Sequence, residues 1–280
     1  MPSFQHRLFD RALRLIRFRQ RYWKQFDGVR TPKRETPPSG KWQGKDFDGY
    51  PFYWRDPEGE RDGYIVALHG GGYVAEASKG HLGAYGALAN LTGKRVYLPY
   101  YPLAPFNSPD AILDWTRRFT AYVREHNGDA PVLVVGDSAG ANLALQLTHA
   151  GETVDRLVLW SPWVDIEGAN PALLEQDGKC ALLKHSGLKD FARMYHGERD
   201  PRDPALSPIF REREDLPPTL IVSGEDDLFH PDIDAYATTR MGQGAPLTYH
   251  LEPGVWHDYM LIPTPEAKRA VKMTAEFLSA

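Results

Sequence analysis

Cysteine is almost absent: Cys180 is the single one in 280 residues. One thiol excludes an intrachain disulfide and suits a reducing compartment. Long apolar runs are missing too, and a membrane-crossing helix would need about eighteen such residues in a row. The first residues lack the uninterrupted apolar core of a secretory leader, so a cytoplasmic location is the expectation. Neither sign of charge dominates, since 33 Lys and Arg stand against 37 Asp and Glu for a net charge of −4. That balance gives no electrostatic reason to expect a nucleic-acid partner. There is no internal repeat and no low-complexity tract. What remains is an ordinary globular composition, 42% hydrophobic, on a chain long enough for one α/β domain with an insertion and a large core.

Apolar runs that read as strands alternate with helical stretches. Strands are expected near Tyr64 to Leu68, Arg95 to Pro99, Val132 to Val135, Leu157 to Trp160, Leu220 to Ser223 and Leu247 to Leu251. Helices are expected over His81 to Leu91, Pro109 to Glu125, Asn142 to Thr148, Pro231 to Met241 and Thr264 to Phe277. Ahead of them, Lys41 to Arg55 alternates aromatic and polar residues like an antiparallel hairpin at a sheet edge. Such alternation predicts a doubly wound, mostly parallel sheet with its reactive residues in loops at the carboxyl ends of strands.

Two of those loops carry chemistry. Gly136-Asp137-Ser138-Ala139-Gly140 follows the strand Pro131 to Val135 and precedes a helical stretch, placing a serine on a sharp strand-to-helix turn. Small neighbours let that turn close, and Ala139 leaves its own N–H free to face a substrate. Upstream, Tyr64 to Leu68 leads into His69-Gly70-Gly71-Gly72-Tyr73. Successive glycines cost backbone entropy and are used where amides must approach something closely. In acyl transfer that something is the oxyanion of a tetrahedral intermediate, and the assigned donors are the N–H groups of Gly71, Gly72 and Ala139. His69 is read as a brace for the loop, and Tyr73 as a substrate contact.

Both motifs in this order resemble the hormone-sensitive-lipase-like esterases of the α/β-hydrolase fold. Tyr101 to Pro105, Pro204 to Pro208 and Leu216 to Leu220 extend the likeness, which covers roughly Asp62 to Ala280. A serine nucleophile needs an imidazole to take its proton and a carboxylate to hold that imidazole, in the chain order serine, acid, histidine. The resemblance places the acid at Asp227 in Gly224-Glu225-Asp226-Asp227-Leu228, with Asp226 as the near rival. It places the base at His257, in the loop after the last strand. His250 has a strand address instead. If that imidazole is not strongly perturbed, activity should rise through about pH 6 to 7.

Residues 1–40 are expected to form a lid segment and linker, and 41–280 the catalytic domain, with a cap insertion over about 163–213. From His6 to Lys24 the chain carries seven Arg or Lys and one acid, interleaved with large apolar residues. A transit peptide, a membrane-surface helix and a lid across the site mouth all fit this pattern, and the lid is favoured. In the insertion, Leu173, Leu174, Leu182, Leu183, Leu188, Phe191, Met194 and Tyr195 are candidates for an acyl pocket or for the cap's own core. The resulting expectation is a serine carboxylesterase for short- to medium-chain esters, needing neither metal nor organic cofactor, with a homodimer left open. Amide hydrolysis or acyl transfer would use the same triad. A non-catalytic receptor on this scaffold typically lacks the histidine that is present here.

Overall fold

In the computed structural model, residues 1–24 and 40–280 are described. The Pro-rich linker read at Thr31 to Gly40 therefore lies outside the described residues, Gly40 apart. Eight strands form one sheet in the order β1-β2-β4-β3-β5-β6-β7-β8. They are β1 (Gln43–Phe47), β2 (Tyr50–Arg55), β3 (Tyr64–Leu68), β4 (Arg95–Pro99), β5 (Val132–Asp137), β6 (Arg156–Trp160), β7 (Thr219–Gly224) and β8 (Leu247–Glu252). The β1–β2 hairpin pairs antiparallel and lies antiparallel on β4, while all other neighbours are parallel. The helices are α1 (Phe4–Leu15), α2 (Phe18–Lys24), α3 (Lys79–Thr92), α4 (Pro109–Glu125), α5 (Ser138–His149), α6 (Ala172–Gln176), α7 (His185–His196), α8 (His230–Gly242) and α9 (Pro265–Ser279).

The two-residue period of β3 splits the core. Tyr64, Val66 and Leu68 point to one face, where Trp115 and Phe119 of α4, Leu143 and Leu145 of α5, and Ile233 and Tyr236 of α8 cover them. Ile65 and Ala67 point to the other, against Tyr85 and Leu88 of α3 and Val271 and Leu278 of α9. Because both faces are covered, the central strands are buried end to end and read as continuous apolar runs. Local sequence sets the helix ends. Ser108 caps α4, its hydroxyl accepting from Ala111 N–H at 3.2 Å with proline following, and Thr264 does the same for α9 at 3.3 Å.

The basic N-terminal segment is two helices, not the single one read from sequence. The chain breaks after Leu15, where Arg17 takes φ 51. No helix among the described residues is long and apolar enough to cross a membrane.

Candidate active site

β5 runs straight into α5, and Ser138 is the residue at the junction, with φ 51. A serine in the left-handed region costs free energy that its surroundings must offset, and such strain concentrates at functional positions. The flanking glycines are sterically required. A Cβ on Gly136 would lie 2.5 Å from the Gly140 carbonyl oxygen, and one on Gly140 would lie 2.0 Å from that of Leu68. The elbow is therefore wedged against the end of β3, which brings the serine to the oxyanion loop.

Asp227 sits just past β7 and is fully buried. One of its oxygens accepts from Phe229 N–H at 2.9 Å, and both lie 3.0 Å from Nδ1 of His257. Nδ1 must carry a proton to use that contact, which leaves Nε2 of a neutral ring free to accept one. Asp226, the rival acid, is only half-buried; its N–H donates to the Val255 carbonyl, and no contact to His257 is formed. His250 lies on β8 with Nε2 3.2 Å from Glu252. Among the described residues, no hydrogen bond joins Ser138 Oγ to His257.

A second carboxylate adjoins the ring. Asp258 Oδ2 is 3.0 Å from His257 Nε2. Asp258 has φ 53, its N–H donates to Ser161 Oγ at 3.2 Å, and its Oδ1 is buried without a partner. Burial works to lower the imidazole's pKa, but Asp227 and then Asp258 outweigh it and hold it well above 6.5. The unperturbed imidazole on which a rise through about pH 6 to 7 depends is therefore not what His257 presents. Burial also pushes the Asp258 carboxyl up to about 7, against the opposing pull of His257.

The glycine loop from His69 to Tyr73, read from sequence as an oxyanion loop, is braced from the elbow's own aspartate. Asp137 is fully buried and accepts from Gly70 N–H at 2.9 Å and from the Tyr85 hydroxyl, while His81 Nε2 lies 2.9 Å away. The Ser78 N–H donates to His81 Nδ1, so the proton of that ring faces Asp137. Neither Gly71 N–H nor Gly72 N–H has a hydrogen-bond partner among the described residues. Ala139 N–H, in the first turn of α5, is one of the helix's unsatisfied donors. Both loop glycines need their freedom: Gly71 has φ 114 and Gly72 φ 61, where a Cβ would meet Phe191 at 2.3 Å. His69 donates from Nδ1 to the Gly70 carbonyl at 2.7 Å and stacks on Tyr101 at 4.4 Å. Desolvation drives its pKa down to about 4, so the ring stays neutral and braces the loop.

Tyr73 departs from its expected role as a substrate contact. It is fully buried, stacked on Tyr195 at 3.7 Å, and its hydroxyl donates to Asn142 at 2.6 Å. Its side chain is thus committed to packing the loop onto α5 and α7. Of the pocket candidates, Leu173, Leu183, Leu188, Phe191 and Tyr195 are buried in the main core, whereas Leu174 is 61% exposed. The N-terminal helices lie against the loop that carries His257 and against the segment from Leu182 to Phe191. His6 and Phe9 pack on Trp256, next to His257, at 6.0 and 6.5 Å. Trp23 packs on Phe191 at 4.7 Å and donates to the Leu182 carbonyl at 2.8 Å. Ser138 is left only 6% exposed. No group of three His, Cys, Asp or Glu among the described residues could hold a metal ion.

Residues 65–261 match the family model described as the alpha/beta hydrolase fold. An acetyl-hydrolase of Streptomyces hygroscopicus is 30% identical, the alignment covering 80% of this chain and 78% of that protein. An ethyl acetate hydrolase of Pseudomonas putida is also 30% identical, over 76% and 72%. Among solved structures, an esterase from the bacterial hormone-sensitive lipase family superposes with a TM-score of 0.82 at 23% identity, covering 100% of this chain and 99% of that one. The chain belongs to the α/β-hydrolase fold family.

Proposed function

We propose that this carboxylesterase cleaves short- to medium-chain esters with Ser138 as nucleophile, His257 as general base and Asp227 as the acid that orients it. The observation that carries the reading is the buried Asp227–His257 contact at 3.0 Å, set on the loops beside a strained serine elbow. Ser138 Oγ attacks the ester carbonyl as Nε2 of His257 takes its proton. The negative charge that develops on the carbonyl oxygen is held by the N–H groups of Gly71, Gly72 and Ala139, each worth about 3 to 4 kcal/mol of transition-state stabilisation. The imidazolium then protonates the leaving alcohol. Water repeats the cycle on the acyl-serine and releases the acid. In this reading residues 1–40 supply a lid and linker and about 163–213 the rest of the cap, both roofing the catalytic domain 41–280. The relatives named as acetyl-hydrolase and ethyl acetate hydrolase and the low exposure of Ser138 both favour a small acyl group.

The test is hydrolysis of p-nitrophenyl acetate, butyrate, octanoate and palmitate by the intact protein and by Ser138→Ala, with fluorophosphonate labelling. Turnover should peak at the short esters, and both turnover and labelling should vanish in the variant. A peak at palmitate would overturn the chain-length assignment. Labelling that survives in Ser138→Ala would overturn the nucleophile.

A further inference from the structure

Helix α1 has two working faces. Its inner face, with His6, Phe9 and Leu13, is packed against the body. Its outer face should then be polar, as on a surface helix that simply covers a core. It is not. Phe4 is 70% exposed, Leu8 56% and Leu15 84%, and Ile16 just beyond is 50% exposed. Positions 4, 8 and 15 fall on one stripe of a helix, with Arg11 inside it and Arg7 and Arg14 along its flank.

The cations of this segment are largely unspent. Arg14 pairs with Asp10, and Arg19 with Asp177. Arg7, Arg11, Arg17, Arg21 and Lys24 form no ion pair among the described residues. A chain with a net charge of −4 thus collects, among the described residues, five cations without an ion pair beside a run of exposed apolar side chains. Apolar residues interleaved with arginine on a helix lying flat on its domain match an interface between water and anionic headgroups. There the hydrocarbon enters the acyl boundary while the guanidinium groups stay at headgroup level.

We propose that the outer face of α1, with the start of α2, docks this protein on an anionic lipid surface. The inner face packs beside His257 through Trp256, so docking holds the roof of the site against the membrane. Apolar contact and charge both contribute. Each basic residue near an anionic surface adds about fivefold in affinity, and this share weakens as salt shortens the Debye length.

The experiment is co-sedimentation of the full chain at physiological salt. One set of vesicles is phosphatidylcholine with about one-third phosphatidylserine, and the other is phosphatidylcholine alone. The protein should pellet with the first and stay in solution with the second. Phe4→Ser/Leu8→Ser/Leu15→Ser should weaken binding more than about tenfold. Arg11→Gln/Arg17→Gln should weaken it about 25-fold, two charges at about fivefold each. Both variants should keep the parent's melting temperature, because none of these side chains is buried. Failure to pellet with anionic vesicles, equal pelleting with both sets, or binding that survives both variants would overturn the proposal. So would a dimer in sedimentation velocity that the serine variant dissolves without lipid, since a second copy would then cover this face.

Discussion

Replacing Asp258 by asparagine should shift the acid limb of the pH–rate profile to lower pH. The His257 ring lies between two carboxylates: Nδ1 is 3.0 Å from each oxygen of Asp227, and Nε2 is 3.0 Å from Asp258 Oδ2. The ring is 1% exposed and Asp258 6%, so water screens little of the interaction. A single opposite charge at such range raises an imidazole's pKa by about 1 to 3 units. Asparagine keeps the shape and removes the charge, while Asp227 stays in place. The other groups around the pair act in known directions. Asp137 opposes ionisation of Asp258, and the edge of Phe229 contributes no charge.

The sign follows from the role of the ring. In the proposed mechanism an imidazolium cannot accept the Ser138 proton, so kcat/KM should rise only as His257 loses its proton, through the pKa of the free enzyme. With that pKa raised, the parent enzyme should be weak in mild acid. Asp258→Asn lowers it, and about a unit below the parent's midpoint the variant should gain about tenfold relative to its own plateau. The plateau should fall, because the imidazolium formed in the transition state loses one counter-charge. The assay is kcat/KM for p-nitrophenyl acetate from about pH 5 to about pH 9, on parent, Asp258→Asn and Asp258→Gly. Glycine also relieves the left-handed backbone at φ 53. An acid limb with the same midpoint in all three proteins would refute the electrostatic argument.

Asp137→Asn should cost about 3 kcal/mol of stability, since an amide cannot accept from Gly70, Tyr85 and His81 at once and leaves buried donors unpaired. Chemical denaturation would measure the loss, and kcat should fall more than KM rises as the oxyanion loop loosens. Tyr73→Phe removes the buried hydrogen bond donated to Asn142 and the one accepted from Gln146, and should cost about 1 to 3 kcal/mol in a thermal melt. Its KM for short esters should not move, and a large rise would restore Tyr73 as a substrate contact. Gly140→Ala places a methyl group 2.0 Å from the Leu68 carbonyl oxygen; backbone cannot yield there as a side chain would, so folded protein should not be recovered from the soluble fraction.

The parts of the fold that local chemistry determines are legible in the chain. β3 and β4 occupy the residues their apolar runs mark out, and the β1–β2 hairpin sits at the sheet edge that its alternation implies. The strand-to-helix turn at Ser138 is legible because only Gly136 and Gly140 let it close. Where distant contacts decide, sequence says less. The break at Arg17 is invisible, since basic and apolar residues continue through it without a glycine or proline. Tyr73 follows the oxyanion glycines directly, which suggests a substrate contact. Yet its partner Asn142 is 69 residues away and Gln146 is 73 away, and those contacts turn the ring inward.

The same limit separates the two aspartates that flank the nucleophile and the base. Asp137 stands in the motif just before Ser138 and Asp258 just after His257, and the sequence by itself assigns neither carboxylate a partner. Their carboxylates acquire opposite effects from the walls they meet. Asp137 faces Gly70 N–H, the Tyr85 hydroxyl and His81, and His81 above all, with Tyr85, holds its pKa down despite burial. Asp258 has one oxygen on His257 and the other on nothing, and burial pushes it up. A fully satisfied buried carboxylate fixes geometry, whereas a half-satisfied one is energetically poised and responds to the charge beside it. Asp137 is therefore suited to hold the oxyanion loop at any working pH. Asp258 couples to His257, the group whose protonation the proposed reaction must change.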